Sequence, residues 1–499
     1  QAQRGRFSPF LFKGINSSSG GYGGEYGQAL SSVLPMETTD VATGDKLGVS
    51  ASLVDWNIGG TKTFRQSSLS FNADYTSMGL YNSLFPDRCD WASPYRKLSG
   101  EMQYKSDISS ACVLKSYVGY DLSSVGQNID CRNLAFKEHN VYANVTLKAN
   151  IGGGYSLFAG VANSSVITDI DDALARGDHY YNFRNEVHLK TELRKVFSLA
   201  LKMSAGAEDY IRNSKLRYGG YQYHVDYNLL AAHVDAYWRI VPRLFLNVSG
   251  RAEHLGYAGN WMLMPRATVS YVPDKTFQIS AMFGRYSQAA EDEYIAKSGM
   301  SLPQSTSDHA ILSLQYNKKK TLVRIEPYYK KYRHLPLQAD ASYTAEGYGT
   351  SKGIDFFFEN HSLVKNLTAT VSYAFNDSER LYLDYTSLRA PEYASRHNIR
   401  LTAKYSIGKM IFGVAESYAS GRKFTSGTTP YYNSVDANLT WLVSPKVIVY
   451  TSINNILGRT NVFGFQSDGL PQTASRDRFF YIGIFVSLKN NKAYDISNF

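Results

Sequence analysis

The sequence predicts an all-β fold: a transmembrane, antiparallel, up-and-down β-barrel of about 22 strands, with short periplasmic turns and long extracellular loops. Three observations predict it: apolar and polar residues alternate along most of the chain, the alternating segments are numerous and long, and tight turns alternate with long loops. The composition agrees, because 14% of the 499 residues are aromatic and such a chain can bury enough surface to fold. A helical membrane protein is excluded, since no window of about 18 uncharged apolar residues occurs.

The alternation has a period of two residues. From Val141 to Ala149 the odd positions are Val, Ala, Val, Leu and Ala, whereas the even positions are Tyr, Asn, Thr and Lys. Residues 197–205, 367–375, 399–407 and 480–488 follow the same rule. Because successive side chains of a strand point to opposite faces, each segment has one apolar face and one polar or small face. A soluble sandwich buries the apolar face, whereas an outer-membrane barrel turns it towards lipid.

The number and length of these segments favour the barrel. The predicted strands lie near 44–57, 63–76, 99–107, 110–121, 136–149, 154–166, 180–193, 196–209, 223–240, 243–254, 261–272, 276–288, 305–316, 320–333, 346–360, 365–378, 395–407, 409–421, 432–443, 446–456 and 477–488. Many exceed the usual soluble strand of about 5–6 residues and are long enough to cross a bilayer when tilted. Single-chain bacterial barrels have an even number of strands, and these segments make an odd number. We therefore expect one strand to be missed or wrongly divided within the first hundred residues.

Connections of two kinds alternate along the chain. The tight turns are predicted at Arg194-Lys195, Val241-Pro242-Arg243, Pro273-Asp274-Lys275, Asn317 to Lys319, Ile407-Gly408-Lys409 and Ser444-Pro445-Lys446. The long loops are predicted at 167–179, 289–304, 334–345, 379–394 and 457–476. Short turns at one rim and long loops at the other are typical of the periplasmic and outer faces of a barrel.

Charged residues lie inside the predicted strands, on their polar faces. They are Lys148, Lys202, Arg251, Glu253, Arg400 and Lys404. Charges inside strands fit a lumen that is filled with water or with a plug.

Six fragments in order resemble one family of bacterial proteins. They are Gly20–Val33 followed by Glu37–Asp40, Asn260–Tyr271 with Phe283–Gln288, Tyr348–Asp355, Ser395–Leu401, Ser420–Thr425 and Ser452–Asn461. The first resembles the end of the plug domain of TonB-dependent outer-membrane receptors, and the others resemble strands and strand entries of their barrel. The resemblance covers nearly the whole chain.

The resemblance implies a Gram-negative outer-membrane protein in two parts. Residues 1–43 are expected to be the C-terminal remnant of the plug domain and its linker, and 44–499 the transmembrane β-barrel. The implied function is import of a scarce solute (a siderophore, glycan, peptide or cofactor) through a plugged barrel, with no enzymatic activity and no cofactor. The implied partners are an inner-membrane TonB-type energy-transducing complex and outer-membrane lipids, and a surface lipoprotein is a further option.

One departure from the family leaves an alternative function open. Only about 40 residues precede the predicted barrel, whereas a barrel of about 22 strands normally has a plugged lumen. The plug could be completed by an N-terminal part outside this sequence or by a second chain. Alternatively, a plugless or partner-plugged barrel would act as a structural or assembly subunit of an outer-membrane complex.

The sequence predicts no catalytic, cofactor-binding or metal-binding residue and identifies no individual ligand contact. Ligand binding is expected first in 167–182, 289–304 and 457–476. The carboxylates of Asp169, Asp171, Asp172 and Asp178, with His179, could hold Ca²⁺, but a solvated acidic loop is favoured. Ser351 matches a nucleophile pattern without the required helix, and Lys and Arg are too dispersed for nucleic-acid binding. The pairing of Cys89, Cys112 and Cys131 stays open.

Overall fold

A computed structural model describes residues 11–15, 20–86, 91–129, 132–171, 179–361, 363–466, 469–474 and 477–489. The elements are β1 (Phe12–Ile15), β2 (Met36–Thr38), β3 (Lys46–Ser52), β4 (Asp55–Thr63), β5 (Ser67–Ser77), α1 (Gly79–Leu84), β6 (Ser93–Ser109), β7 (Cys112–Ile129), β8 (Arg132–Gly152), β9 (Tyr155–Asp171), β10 (Tyr180–Val196), β11 (Leu201–Tyr218), β12 (Tyr221–Val241), β13 (Leu244–Leu255), β14 (Trp261–Tyr271), β15 (Phe277–Gln288), α2 (Asp292–Lys297), β16 (Ser305–Lys318), β17 (Thr321–Ala339), β18 (Ser342–Asn360), β19 (Leu367–Leu381), β20 (His397–Ile407), β21 (Met410–Ala419), β22 (Lys423–Phe424), β23 (Gly427–Thr428), β24 (Tyr432–Ser444), β25 (Val447–Asn454), β26 (Val462–Phe465), β27 (Pro471–Thr473) and β28 (Phe479–Lys489). Strands β3–β21, β24, β25 and β28 form one closed antiparallel barrel of 22 strands, which confirms the predicted fold class. No helix in these residues is long and apolar enough to cross a membrane.

The two faces of the barrel wall are inverted relative to a soluble protein. Along β13, Ser249, Arg251 and Glu253 are buried, whereas Val248, directly before Ser249, is 46% exposed. Because alternate residues of a strand face opposite sides, the buried polar row faces the lumen and the exposed apolar row faces outward. Exposed apolar residues recur around the barrel, as a lipid-facing surface requires.

The missing strand lies in the first hundred residues, as expected. The predicted strand 44–57 is in fact divided between β3 (Lys46–Ser52) and β4 (Asp55–Thr63). The turn between them is Leu53-Val54, and the Ser52 Oγ accepts a hydrogen bond of 3.2 Å from the Val54 backbone N–H. A turn made of two apolar residues, without Gly or Pro, gives no sequence signal.

The rhythm of the connections is confirmed, although two of the predicted connections are wrong. Arg194 and Lys195 are not a turn, because β10 continues to Val196 and the link to β11 is 197–200. Both side chains find partners there: Arg194 forms an ion pair of 3.0 Å with Glu25, and the Lys195 Nζ lies 3.6 Å from the centre of the Tyr155 ring. A solvated turn would have provided neither contact.

The second error is the loop predicted at 334–345. Strand β17 continues to Ala339 and β18 begins at Ser342, so the connection is only Asp340-Ala341. The register shifts between Arg333 and Leu335, and again before Leu337. These irregularities break the period of two, which is why the segment looked irregular in the sequence.

The barrel closes between β28 and β3, where Val486 pairs with Val49. Asp45 secures this seam, since its carboxylate lies 2.8 Å from the Lys62 Nζ and 2.9 Å from the Lys489 Nζ. Hydrogen bonds from Lys62, and then from Thr63 and Lys489, lower the pKa of Asp45. The seam contact is therefore retained at neutral pH and lost only as the pH falls through that lowered pKa.

Candidate functional site

Residues 20–42, called here the lumen segment, run inside the barrel. The wall residues that hydrogen-bond to the segment are Ser68, Lys105, Lys115, Lys190, Arg194, Asp235, Arg251, Glu253, Arg266, Tyr286, His309 and Lys330. Most of these side chains are buried or half-buried and alternate with exposed apolar residues, so they point inward. At its periplasmic end, β2 of the segment pairs with β1. The segment is thus held by β5–β7, β10 and β12–β17.

The glycines of the segment allow its backbone to approach the wall closely. A Cβ on Gly27 would lie 2.5 Å from the Arg251 Cζ, and one on Gly21 would lie 3.0 Å from the Met282 Cγ. Gly21 also has a φ of +72°, which disfavours other residues. The glycine-rich stretch is therefore backbone that packs closely against the side chains of the wall.

A buried group of charges, the charge anchor, lies beneath the segment and consists of Lys190, Glu208, Arg251 and Glu253. The Arg251 guanidinium donates to Glu253 at 2.7 Å, to Glu208 at 3.2 Å and to the Gly24 carbonyl at 3.1 Å. The Lys190 Nζ lies 2.7 Å from Glu208. Each carboxylate in this dry site has a cation, which it needs because an unpaired buried charge is very costly.

Arg266 forms a second attachment point. Its Nη1 donates to the carbonyl oxygens of Tyr26, at 2.8 Å, and of Gly23. The guanidinium also lies over the rings of Tyr22 and Tyr286, at 5.0 and 4.5 Å from their centres. Such stacking adds a cation–π attraction to the hydrogen bonds. The alternation correctly places Arg251 and Glu253 on the inner face. It did not lead us to predict the roles of Arg266 and Glu208, although both carry the same signal, a charge within an alternating strand.

The loop 289–304, which we expected to bind ligand, folds into the barrel mouth. Its helix α2 buries Ile295 completely, and Leu302 is buried with it. Both belong to an apolar cluster with Val225 and Leu229 on the inner face of β12. The apolar side of this loop is consequently used for packing, and its ligand-binding role stays a prediction.

The other two predicted ligand loops are described in part. In 167–182, β9 extends to Asp171, and the Asp169 carboxylate lies 2.8 Å from the His179 Nε2. Asp171 lies 3.7 Å from the same nitrogen, while Asp172 and Asp178 fall outside the described residues. The segment 457–476 contains the hairpin β26–β27, and 467, 468, 475 and 476 fall outside the described residues.

Ser351 and Cys112 both lie in strands of the barrel wall. Ser351 is a buried residue of β18, and its Oγ donates to the Asn376 Oδ1 at 2.8 Å. Cys112 begins β7 and forms no disulfide with another described residue. Cys89 and Cys131 lie outside the described residues, so the pairing of the three stays open.

Gln28 connects the lumen segment to the loop 289–304. Its Oε1 accepts from the Ala289 backbone N–H and its Nε2 donates to Glu253, both at 2.9 Å. We expect Gln28→Asn to break this link, because Asn tolerates the φ of +54° but is one methylene too short. Hydrogen exchange of the Ala289 amide should rise about 10-fold, the equivalent of one hydrogen bond. Mass spectrometry of the detergent-solubilised protein measures it.

The matched control for this change is Ser31→Ala. Ser31 accepts a hydrogen bond of 3.0 Å from the Lys330 Nζ, so this variant also removes polar contact between the segment and the wall. Exchange at Ala289 should stay unchanged in it. Equal exchange at Ala289 in the native protein and in Gln28→Asn would show that the segment and the loop are not linked.

A closed barrel with an apolar outer face, and with a charged lumen that holds an internal segment, defines the outer-membrane receptors and transporters. The chain belongs to the TonB-dependent receptor family: the family model "TonB dependent receptor-like, beta-barrel" matches residues 6–456. The protein is accordingly an importer of the bacterial outer membrane and no enzyme. No curated protein sequence matches the chain.

Solved structures share the fold at low sequence identity. The siderophore receptor PirA from Acinetobacter baumannii has a TM-score of 0.80 at 9% identity, over 95% of this chain and 85% of that one. The FrpB iron transporter from Neisseria meningitidis gives 0.77 at 11% identity, over 96% and 88%. The outer membrane transporter YddB from Escherichia coli gives 0.76 at 10% identity, over 96% and 85%. Each of these similarities extends over at least 95% of this chain.

Proposed function

We propose that residues 1–43 are the C-terminal part of a plug domain with its linker, that 44–499 are the barrel, and that movement of the plug controls import. A small solute binds at the outer mouth. A TonB-type energy-transducing partner, which membership of the family implies, then pulls on the plug from the periplasm. A surface lipoprotein that covers the mouth remains a prediction from the resemblance alone.

The attachment of the lumen segment to polar wall groups supports this proposal. Arg266 and Arg251 hold the backbone of the segment through the carbonyl oxygens of Gly23, Gly24 and Tyr26. Hydrogen bonds between polar groups can be exchanged for bonds to water, so a segment held in this way can be released by force and rebind. An apolar core would resist wetting much more strongly.

The proposal can be tested by labelling Tyr22→Cys in living cells, in a background where Cys89, Cys112 and Cys131 are Ser. Tyr22 is buried and lies against Tyr286, with ring centres 4.5 Å apart. We expect a membrane-impermeant maleimide to label Cys at this position several-fold faster when the energy-transducing complex is present. The reason is that release of the segment exposes a site that is otherwise dry.

The control is Tyr221→Cys in the same background. Tyr221 is exposed where β12 begins, next to the turn 219–220, and should react equally in cells with and without the complex. Equal labelling of Tyr22→Cys in both strains would contradict the import mechanism. It would favour the alternative of a static structural barrel.

A further inference from the structure

A second part of the lumen, away from the segment, contains a cavity of about 400 Å³. It lies against β19, β20, β21 and β24, whereas the lumen segment bonds to β5–β7, β10 and β12–β17. Its walls include Ser372, Asn398, Arg400, Ser417 and Arg422. The cavity is therefore separate from the place where the segment is held.

The register of the four strands explains why space remains here. Arg400 pairs with Ser372 on one side and with Ser417 on the other, and Ser417 pairs with Ser434. Directly paired residues point to the same side with their Cβ atoms about 5 Å apart. The long cationic side chain of Arg400 is thus flanked by small serine side chains. All of them lie on the face of the wall opposite the exposed Leu401.

The adjacent row repeats this pattern nearer the mouth. Asn398 pairs with Ala374 and with Ala419, and Ala419 pairs with Tyr432. Two alanines leave the space beside Asn398 unfilled. Tyr432, whose ring lies 6.0 Å from that of Phe463, forms an aromatic border.

The hairpin β22–β23 and the residues at its base cover the cavity. The Arg422 N–H donates to the Thr429 Oγ1, and the Thr429 N–H donates back to the Arg422 carbonyl, both at 2.9 Å. These bonds close the base of the hairpin β22–β23. Phe424 of this hairpin packs edge-on against Phe465 of β26, with 5.7 Å between ring centres. The second cation, Arg422, is therefore held over the cavity by two hairpins that contact each other.

Neither cation of the cavity is neutralised within the described part of the chain. The side chains of Arg400 and Arg422 form no ion pair with the described residues, whereas the nearby carboxylates accept hydrogen bonds from other groups. Asp436 accepts from the Ser434 Oγ and the Asn455 N–H, at 2.8 and 2.7 Å. Glu416 accepts from Asn433 at 3.0 Å, and Asp377 pairs with Arg396 at 2.6 Å. A cavity lined by two guanidinium groups that have no acidic partner among the described residues attracts anions, and guanidinium groups bind oxyanions through paired hydrogen bonds.

We propose that this cavity binds the oxyanion group, carboxylate or phosphate, of a small hydroxylated solute between Arg400 and Arg422. The serine hydroxyls and Asn398 would bond to the hydroxyl groups of the solute, and Tyr432 would pack against its apolar part. The inference deepens the proposed import function, since it assigns the chemical class of the solute.

Isothermal titration calorimetry of the full-length receptor in detergent, at low ionic strength, tests the proposal. The probes are citrate, inorganic phosphate and the uncharged trimethyl citrate. We expect at least one of the two anions to bind and trimethyl citrate to bind at least 10-fold more weakly. Arg400→Gln and Arg422→Gln should each weaken binding of that anion about 10-fold, the loss of one charge-assisted contact. The preferred anion shows whether carboxylate or phosphate is recognised.

The control is Arg396→Gln, which removes the same charge from an arginine that is already paired with Asp377. It should bind the anion like the native protein. If Arg396→Gln weakened anion binding as much as Arg400→Gln does, the attraction would be general electrostatics and not a site. If trimethyl citrate bound as tightly as the anions, an oxyanion site would be excluded. Either result overturns the proposal, and so does the absence of binding by both anions. Resistance of each variant to unfolding in SDS before heating verifies that the barrel has formed.

The two proposals fail separately. If anions bound through Arg400 while the labelling of Tyr22→Cys did not depend on the energy-transducing complex, the anion site would be supported and the import mechanism contradicted. If the labelling depended on the complex while no anion bound, the import mechanism would be supported and the proposal of an anion site overturned.

Discussion

Arg251→Met is expected to cost about 3–5 kcal/mol of stability, the typical penalty for removing one partner of a buried ion pair. The Arg251 side chain is fully buried between Glu208 and Glu253. Without it, Glu253 keeps two neutral donors among the described residues, Gln28 and Ser287. The backbone ladder of the barrel does not depend on this side chain, so the lumen segment should be released first. Limited proteolysis reports that release, and urea unfolding in detergent micelles reports the total loss.

Two variants make this result specific. Arg251→Met combined with Glu253→Met removes both partners and should recover part of the loss, because replacing a buried pair by apolar residues is often nearly neutral. Lys202→Met removes an exposed cation from the inner face of β11 and should change stability by less than about 1 kcal/mol. If Arg251→Met unfolded like the native protein, the charge anchor would not hold the segment.

Val414→Arg is expected to destabilise the membrane-inserted barrel by about 2–4 kcal/mol, the cost of a cation at the lipid face near the midplane. Val414 lies in the middle of β21 and is 50% exposed. The exposed apolar side chains around it define a surface that only hydrocarbon would cover favourably. The loss can be measured as the shift in urea of folding into lipid vesicles, and heat-modifiable migration in SDS gels reports the folded fraction.

The next residue supplies the matched control. Ala415 points to the lumen beside its cross-strand neighbour Asp436, so Ala415→Arg places the same cation in a wet and partly acidic environment. It should change stability by less than about 1 kcal/mol. Equal losses in the two variants would mean that the two faces of the wall do not differ, and the membrane orientation of the barrel would be wrong.

The sequence alone determined the fold, because the alternation that it contains is a local property. Each run such as 367–375 has one apolar and one polar face whatever surrounds it, so the existence of most strands and the inward direction of Arg251, Glu253 and Arg400 could be predicted. The errors occur where the local signal is interrupted: at the apolar turn Leu53-Val54, and at the register shifts that make 334–345 look like a loop.

Only the tertiary structure decided which inward-facing groups meet. The period of two assigns a face to a residue but says nothing of its partner, because the partner is fixed by strand register and by closure of the barrel. The lumen segment reaches Arg266 some 240 residues further along the chain, and the hairpin that carries Arg422 is positioned by another hairpin over Arg400. Contacts so distant in sequence arise from the closed cylinder as a whole, which is why the anchored segment and the cationic cavity could not be predicted from the residues themselves.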